Sequence, residues 1–172
     1  GDVYKRQIST NSGVFIDADT FEFDKLTNIL LAYGNVIIND KKNDLIITSD
    51  DITYLRNEEK IFTKTRSKAV SKDIVIDADT LEYDKKLNTL NAKGNVKVNE
   101  NIKKLILRSE DIIYYRNSEK LISKYRSEAL GEGLNIKADE FEYNHTLNLV
   151  NANGNVIIED TIKDILLYSE NI

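Results

Sequence analysis

The sequence has no cysteine, methionine, tryptophan or proline, and a single histidine, His145, in 172 residues. Without cysteine there is no disulfide framework and no thiolate zinc site. One histidine and no cysteine leave no Ser-His-Asp or Cys-His arrangement, and no paired-carboxylate signature stands out, so the chain is not expected to be an enzyme. No apolar run approaches the roughly 18 residues of a membrane helix. A net charge of −5 runs against a nucleic-acid surface, which needs clustered excess lysine and arginine. What is present is a chain 41% apolar and 31% charged, enough to bury a core, with a length suited to one domain. The wealth of isoleucine, lysine and asparagine fits AT-rich coding, which weakens any argument from lysine or asparagine counts.

The ends are treated separately. Residues 1–7, "GDVYKRQ", resemble the translation of a transposase adapter used in sequencing libraries and are set aside as a scar. Residues 8–172 are expected to be one domain, truncated at both ends, since Ile172 falls in the middle of a repeat.

That repeat dominates the chain. "IDADTFEFDKLTNILLAYGNV" begins at Ile16, "IDADTLEYDKKLNTLNAKGNV" at Ile76 and "IKADEFEYNHTLNLVNANGNV" at Ile136, a fixed period of 60 residues. A fixed period marks a supersecondary unit that cannot bury its apolar side alone. Each period holds two half-repeats, in which a small residue and an acid precede two apolar residues one apart. Ala18-Asp19 leads to Phe21 and Phe23, Ser49-Asp50 to Ile52 and Tyr54, and Ala78-Asp79 to Leu81 and Tyr83. Ser109-Glu110 leads to Ile112 and Tyr114, and Ala138-Asp139 to Phe141 and Tyr143.

Apolar residues between these marks recur every second position, as in Ile74, Ile76 and Ala78, which is strand spacing. Polar clusters such as Arg56-Asn57-Glu58 and Asp84-Lys85-Lys86 read as hairpin turns. The expectation is all-β: about eleven antiparallel strands near 13–24, 28–40, 44–56, 59–70, 73–84, 88–100, 104–115, 119–130, 134–144, 148–160 and 164–172. The step from Ala78 to Leu81 is odd, so one face is kept only if a bulge intervenes at the acid. Gly34, Gly94 and Gly154 inside the following strands suggest a second irregularity at the same level. Strands that all bend at one level predict a folded trough with small residues along the bend.

"ADTLEYDKKLNTLNAKGNV" and "SEDIIYYRNSEKLISKYRSEA" resemble the OstA-like family of lipopolysaccharide transport, which includes LptA, LptC and the N-terminal domain of LptD. The likeness spans residues 13–172. It departs at Thr65 and Tyr125, which stand where the other strand pair of each period has glycine, so the sharpness of the bend there is left open. The resemblance implies a twisted, partly open β-jellyroll in the periplasm of a Gram-negative bacterium, associated with the outer membrane. It implies a non-enzymatic module without cofactor that holds the acyl chains of lipopolysaccharide and pairs end to end, edge strand to edge strand, with other such modules. Mapped onto this chain, the lipid-groove residues are Val14, Ile16, Ile74, Ile76, Leu134 and Ile136, with Phe21, Phe23, Leu81, Tyr83, Phe141 and Tyr143 on the other wall. An acyl chain left in water costs about 0.8 kcal/mol per methylene, so a carrier must replace the membrane's apolar surroundings. The same residues would also make the plain core of any β-sandwich.

Other candidates are weaker. Asp19, Asp79 and Asp139 lie 60 residues apart and offer no local calcium loop, so capping of the bulge backbone is expected of them, and no metal site is expected. His145 aligns with Lys25 and Lys85 and reads as a solvated loop residue. Lys103, Lys104 and Arg108 suit either headgroup phosphates or a solvated strand face. The alternative function is a structural β-repeat, such as an adhesin or surface-layer stalk, with a dry core. A transmembrane barrel fits poorly, because Lys93, Lys97 and Arg108 put charge on both strand faces.

Overall fold

The computed structural model describes residues 6–172, and among them every regular element is a β-strand. The strands are β1 (Arg6–Ser9), β2 (Val14–Ala18), β3 (Thr20–Asp24), β4 (Ile29–Asp40), β5 (Leu45–Leu55), β6 (Lys60–Thr63), β7 (Ser67–Ser71) and β8 (Ile74–Ala78). They continue as β9 (Thr80–Asp84), β10 (Thr89–Glu100), β11 (Leu105–Tyr115), β12 (Lys120–Gly131), β13 (Leu134–Asn144), β14 (Leu149–Asp160) and β15 (Ile165–Asn171). All pair antiparallel within one 15-stranded sheet. Three pairs of short strands are halves of single passes: β2 and β3 both pair β4, β6 and β7 both pair β5, and β8 and β9 both pair β10. Counted as passes, the eleven expected strands are present, with ends within one residue of those read from the sequence. β1 is an addition. It pairs β2 and begins at Arg6, inside the segment set aside as a scar, whose residues 1–5 lie outside the described residues.

The bends have a local cause. The ladder slips between Tyr33 and Val36, and between Lys93 and Val96, at each Gly-Asn pair. Gly94 and Asn95 both take left-handed dihedrals, with φ of 76° and 45°. Asp79 locks the kink: its backbone N–H donates to the Gly94 carbonyl at 2.9 Å, and its carboxylate accepts from Asn95 Nδ2 at 2.8 Å. A side chain at Gly94 would have its first carbon 2.6 Å from that carboxylate. Asp19 and Asp139 hold Asn35 and Asn155 in the same way, at 2.8 and 2.7 Å. The acids therefore pin the bend, as expected of them.

At the positions without glycine the bend persists. Residues 64–66 leave the ladder between β6 and β7, and in β12 Tyr125 and Arg126 adopt φ of 66° and 42°. For non-glycine residues such dihedrals cost about 1–2 kcal/mol each, which the surrounding ladder offsets. The bulge also restores one face across the odd step, since Ala78 and Leu81 are both buried. Small residues line the fold line: Ala18, Ala78, Ala138, Ser49 and Ser109 are buried, and Ser67 and Ser127 donate to Ser49 and Ser109 at 2.9 and 3.0 Å.

Because every pass folds at the same level, its two halves face each other. Ile16, Ile38, Ile47 and Ile76 from one half and Leu30, Ile52, Leu81 and Leu90 from the other join one buried cluster. The turns at the two ends of the passes are thereby brought together as two lips of a mouth.

Candidate functional site

Of the twelve expected lining residues, Val14, Ile16, Ile74, Ile76, Leu81, Tyr83, Phe141 and Tyr143 are buried in that single cluster. Phe21 and Ile136 are half-buried and pack against it. Phe23 and Leu134 are 44% and 43% exposed. Phe23 lies on β3, which pairs only β4, and Leu134 opens β13; the surface cavities they border, of about 510 and 420 Å³, are lined mainly by outward-facing residues, such as Leu31 and Thr53 at the first and Ile106 and Glu159 at the second. The interior is thus a packed apolar column in its middle, with its residues less covered toward the ends. β15 continues this loss of cover: Ile165 and Leu167 occupy the inward positions that Leu45 and Ile47 hold in β5, yet are exposed.

The mouth is polar, and sequence reasoning missed it. On one lip, β4 and β10 end in the buried acids Asp40 and Glu100. From the other, Tyr83 donates its hydroxyl to Asp40 at 2.8 Å, and Asn43, in the turn that follows Asp40, donates to both Asp40 and Tyr83. Burial, with Asp40 beside it, pushes the Tyr83 phenol well above its usual range, so it stays a donor. Arg116 reaches across to the Asn43 and Asp44 carbonyls and to Ser71, and Lys85 to the Ser12 carbonyl. Lys72 pairs with Glu119 at 2.6 Å, which is the main reason the Glu119 carboxyl is held down to about 2. The signal that marks these residues is positional. Asp40, Glu100 and Asp160 share the period and each closes a strand, where an apolar alternation should have continued.

His145 departs from its expected place in solvent. Its ring is tucked between the lips, with Nε2 3.6 Å from Glu100 and Nδ1 3.4 Å from Glu119. Lys103 is committed to the His145 carbonyl at 2.7 Å, while Arg108 pairs loosely with Glu128 on the outer face. Asp79 adds an ion pair to Arg66 at 2.8 Å.

Folded passes, a continuous apolar interior and a polar mouth together define a β-jellyroll-type shell built from stacked repeats. Residues 15–120, more than half of the chain, match the family described as LptA/(LptD N-terminal domain) LPS transport protein. The chain belongs to that family of lipopolysaccharide transport proteins. Among curated proteins none gives a match. Among solved structures, the chain is similar to LptH from Pseudomonas aeruginosa, described as the LptA homologous periplasmic component of the conserved lipopolysaccharide transport device. That likeness covers 83% of this chain and 82% of the other, at 15% identity and a TM-score of 0.33.

Proposed function

We propose that the chain is a non-enzymatic segment of the periplasmic bridge that carries lipopolysaccharide to the outer membrane of a Gram-negative bacterium, shielding the acyl chains in its apolar interior. The observation that carries this reading is the interior itself: one apolar column runs through the stack and loses cover toward its ends, at Phe23 and at Leu134. An acyl chain entering at an end meets only hydrocarbon, and the mouth gives the headgroup a polar line to follow. The contacts that close the mouth join side chains and turns rather than sheet ladders. Parting the lips therefore breaks no strand pairing, and each exposed polar group regains water. Further modules of the same kind add at the ends, where β15 offers both an unpaired edge and inward-facing apolar residues.

A photo-crosslinking residue at Ile76, with a control at the outward-facing Lys97, tests this on the purified chain mixed with lipopolysaccharide. The expected result is an adduct at Ile76 and none at Lys97. No adduct at Ile76 overturns acyl-chain binding in the column. A structural β-repeat is the second reading, favoured by the tight burial of Ile16, Ile76 and Tyr83. It predicts no adduct at either site.

A further inference from the structure

We infer that Asp73, Glu100 and His145 form a binding site for a divalent transition-metal ion, zinc being the best match, that staples the two lips of the mouth together. Each of the three offers one ligand atom, and these atoms all lie within 4.8 Å of one another. Tetrahedral zinc, with ligands at about 2.0–2.2 Å, spaces its ligand atoms by roughly 3.3 Å, so closure needs shifts on the order of 1 Å. Asp73 lies in the β7–β8 turn and Glu100 ends β10, both on one lip, while His145 follows β13 on the other.

The three residues are departures from the repeat that converge on one point. Glu100 stands where the other periods have Asp40 and Asp160. Asp73 stands where they have Gly13 and Gly133, and His145 where they have Lys25 and Lys85.

The hydrogen bonding also asks for a cation. With Nδ1–H donated to Glu119, Nε2 presents a lone pair to Glu100 Oε1 at 3.6 Å, and two acceptors then face each other. Glu119 is itself held by Lys72 and Thr146, at 2.6 and 2.8 Å. A carboxylate fixing the far nitrogen of an imidazole is the usual support for a zinc-bound histidine. The Glu100 side chain is 1% exposed and accepts backbone N–H bonds from Ile102 and Lys103, which leaves lone pairs turned toward His145. A buried carboxylate without a counter-charge is costly. Beside it, the hydroxyl of the fully buried Tyr143 has no partner, whereas its repeat-equivalent Tyr83 donates to Asp40, the equivalent of Glu100. The longer glutamate has turned from the tyrosine toward Asp73 and His145.

Zinc titration of the metal-free chain by calorimetry, with the single imidazole followed by NMR, tests the site. One saturable zinc per chain is expected, with the ring signals moving on metallation of Nε2 and Nδ1–H retained. His145→Lys and Asp73→Gly restore the residues of the other periods, and so suit the fold. The first should weaken zinc binding by more than about a hundredfold, the second by about tenfold, and Glu119→Gln by about ten- to hundredfold. Absence of saturable binding, or unchanged binding in His145→Lys, overturns the site. So does an imidazole whose signals respond to protons and not to zinc, a readout that needs no variant. Lipopolysaccharide crosslinking at Ile76 is scored separately, so failure of either reading leaves the other standing.

Discussion

Ile74 and Leu134 occupy the same point of the repeat, yet Ile74 is 2% exposed and Leu134 43%. Leu45 and Ile165 repeat the contrast, at 1% and 44%. The residue types are interchangeable; what differs is whether another fold of chain lies beyond. Leu45 lies in β5, paired by β4 on one side and by β6 and β7 on the other, whereas Ile165 lies in β15, which pairs only β14; Leu134 lies in β13, next but one to that last strand. In a stacked shell of this kind each level is sealed by the copies on either side of it.

The contrast can be broken by truncating each side. Ile76→Ala removes a buried chain from the middle of the column and should destabilise by about 2–5 kcal/mol, whereas Leu134→Ala should cost below about 1 kcal/mol. Urea midpoints at constant slope measure both. Equal losses would mean that the last level is sealed as well. The mouth sharpens the comparison. Tyr83→Phe takes a donor from the buried Asp40 and should cost about 1–3 kcal/mol, while Tyr143→Phe removes a hydroxyl without a partner and should stay within about 0.5 kcal/mol in metal-free protein. The smallest difference is expected at the bend. Gly94→Ala and Gly154→Ala face the same left-handed dihedral and the same clash, with Asp79 and Asp139 respectively, so each should lose more than about 2 kcal/mol, with no difference between middle and end. Unequal losses would show that the bend depends on its neighbours.

Much of the shell was legible because its causes are local. Alternation of apolar residues marks the strands. Polar clusters such as Asp84-Lys85-Lys86 mark the turns, where Asp84 accepts the Leu87 N–H at 2.9 Å. The odd step at Asp79 and the glycine at position 94 marked a bulge before any pairing was known. Period-two spacing puts Ile76, Tyr83 and Phe141 on the inward face, and there they are buried. It could not say that Phe23 and Leu134 would be exposed. His145 was misread because alignment with Lys25 and Lys85 spoke only for its turn, and not for Glu100 across the mouth. The same blindness hid Asp40, whose partner Tyr83 is 43 residues away in sequence.

The division has a physical reason. Strand period, turn chemistry and a left-handed Gly-Asn kink act over a few residues, so the chain alone determined that it would form repeated, bent, antiparallel passes with one oily face. Which strand ends meet, and which level lies open, depends on how sharply every pass folds and on what is stacked above it. Only the assembled shell brought Asp73, Glu100 and His145 to one point and left Leu134 and Ile165 uncovered.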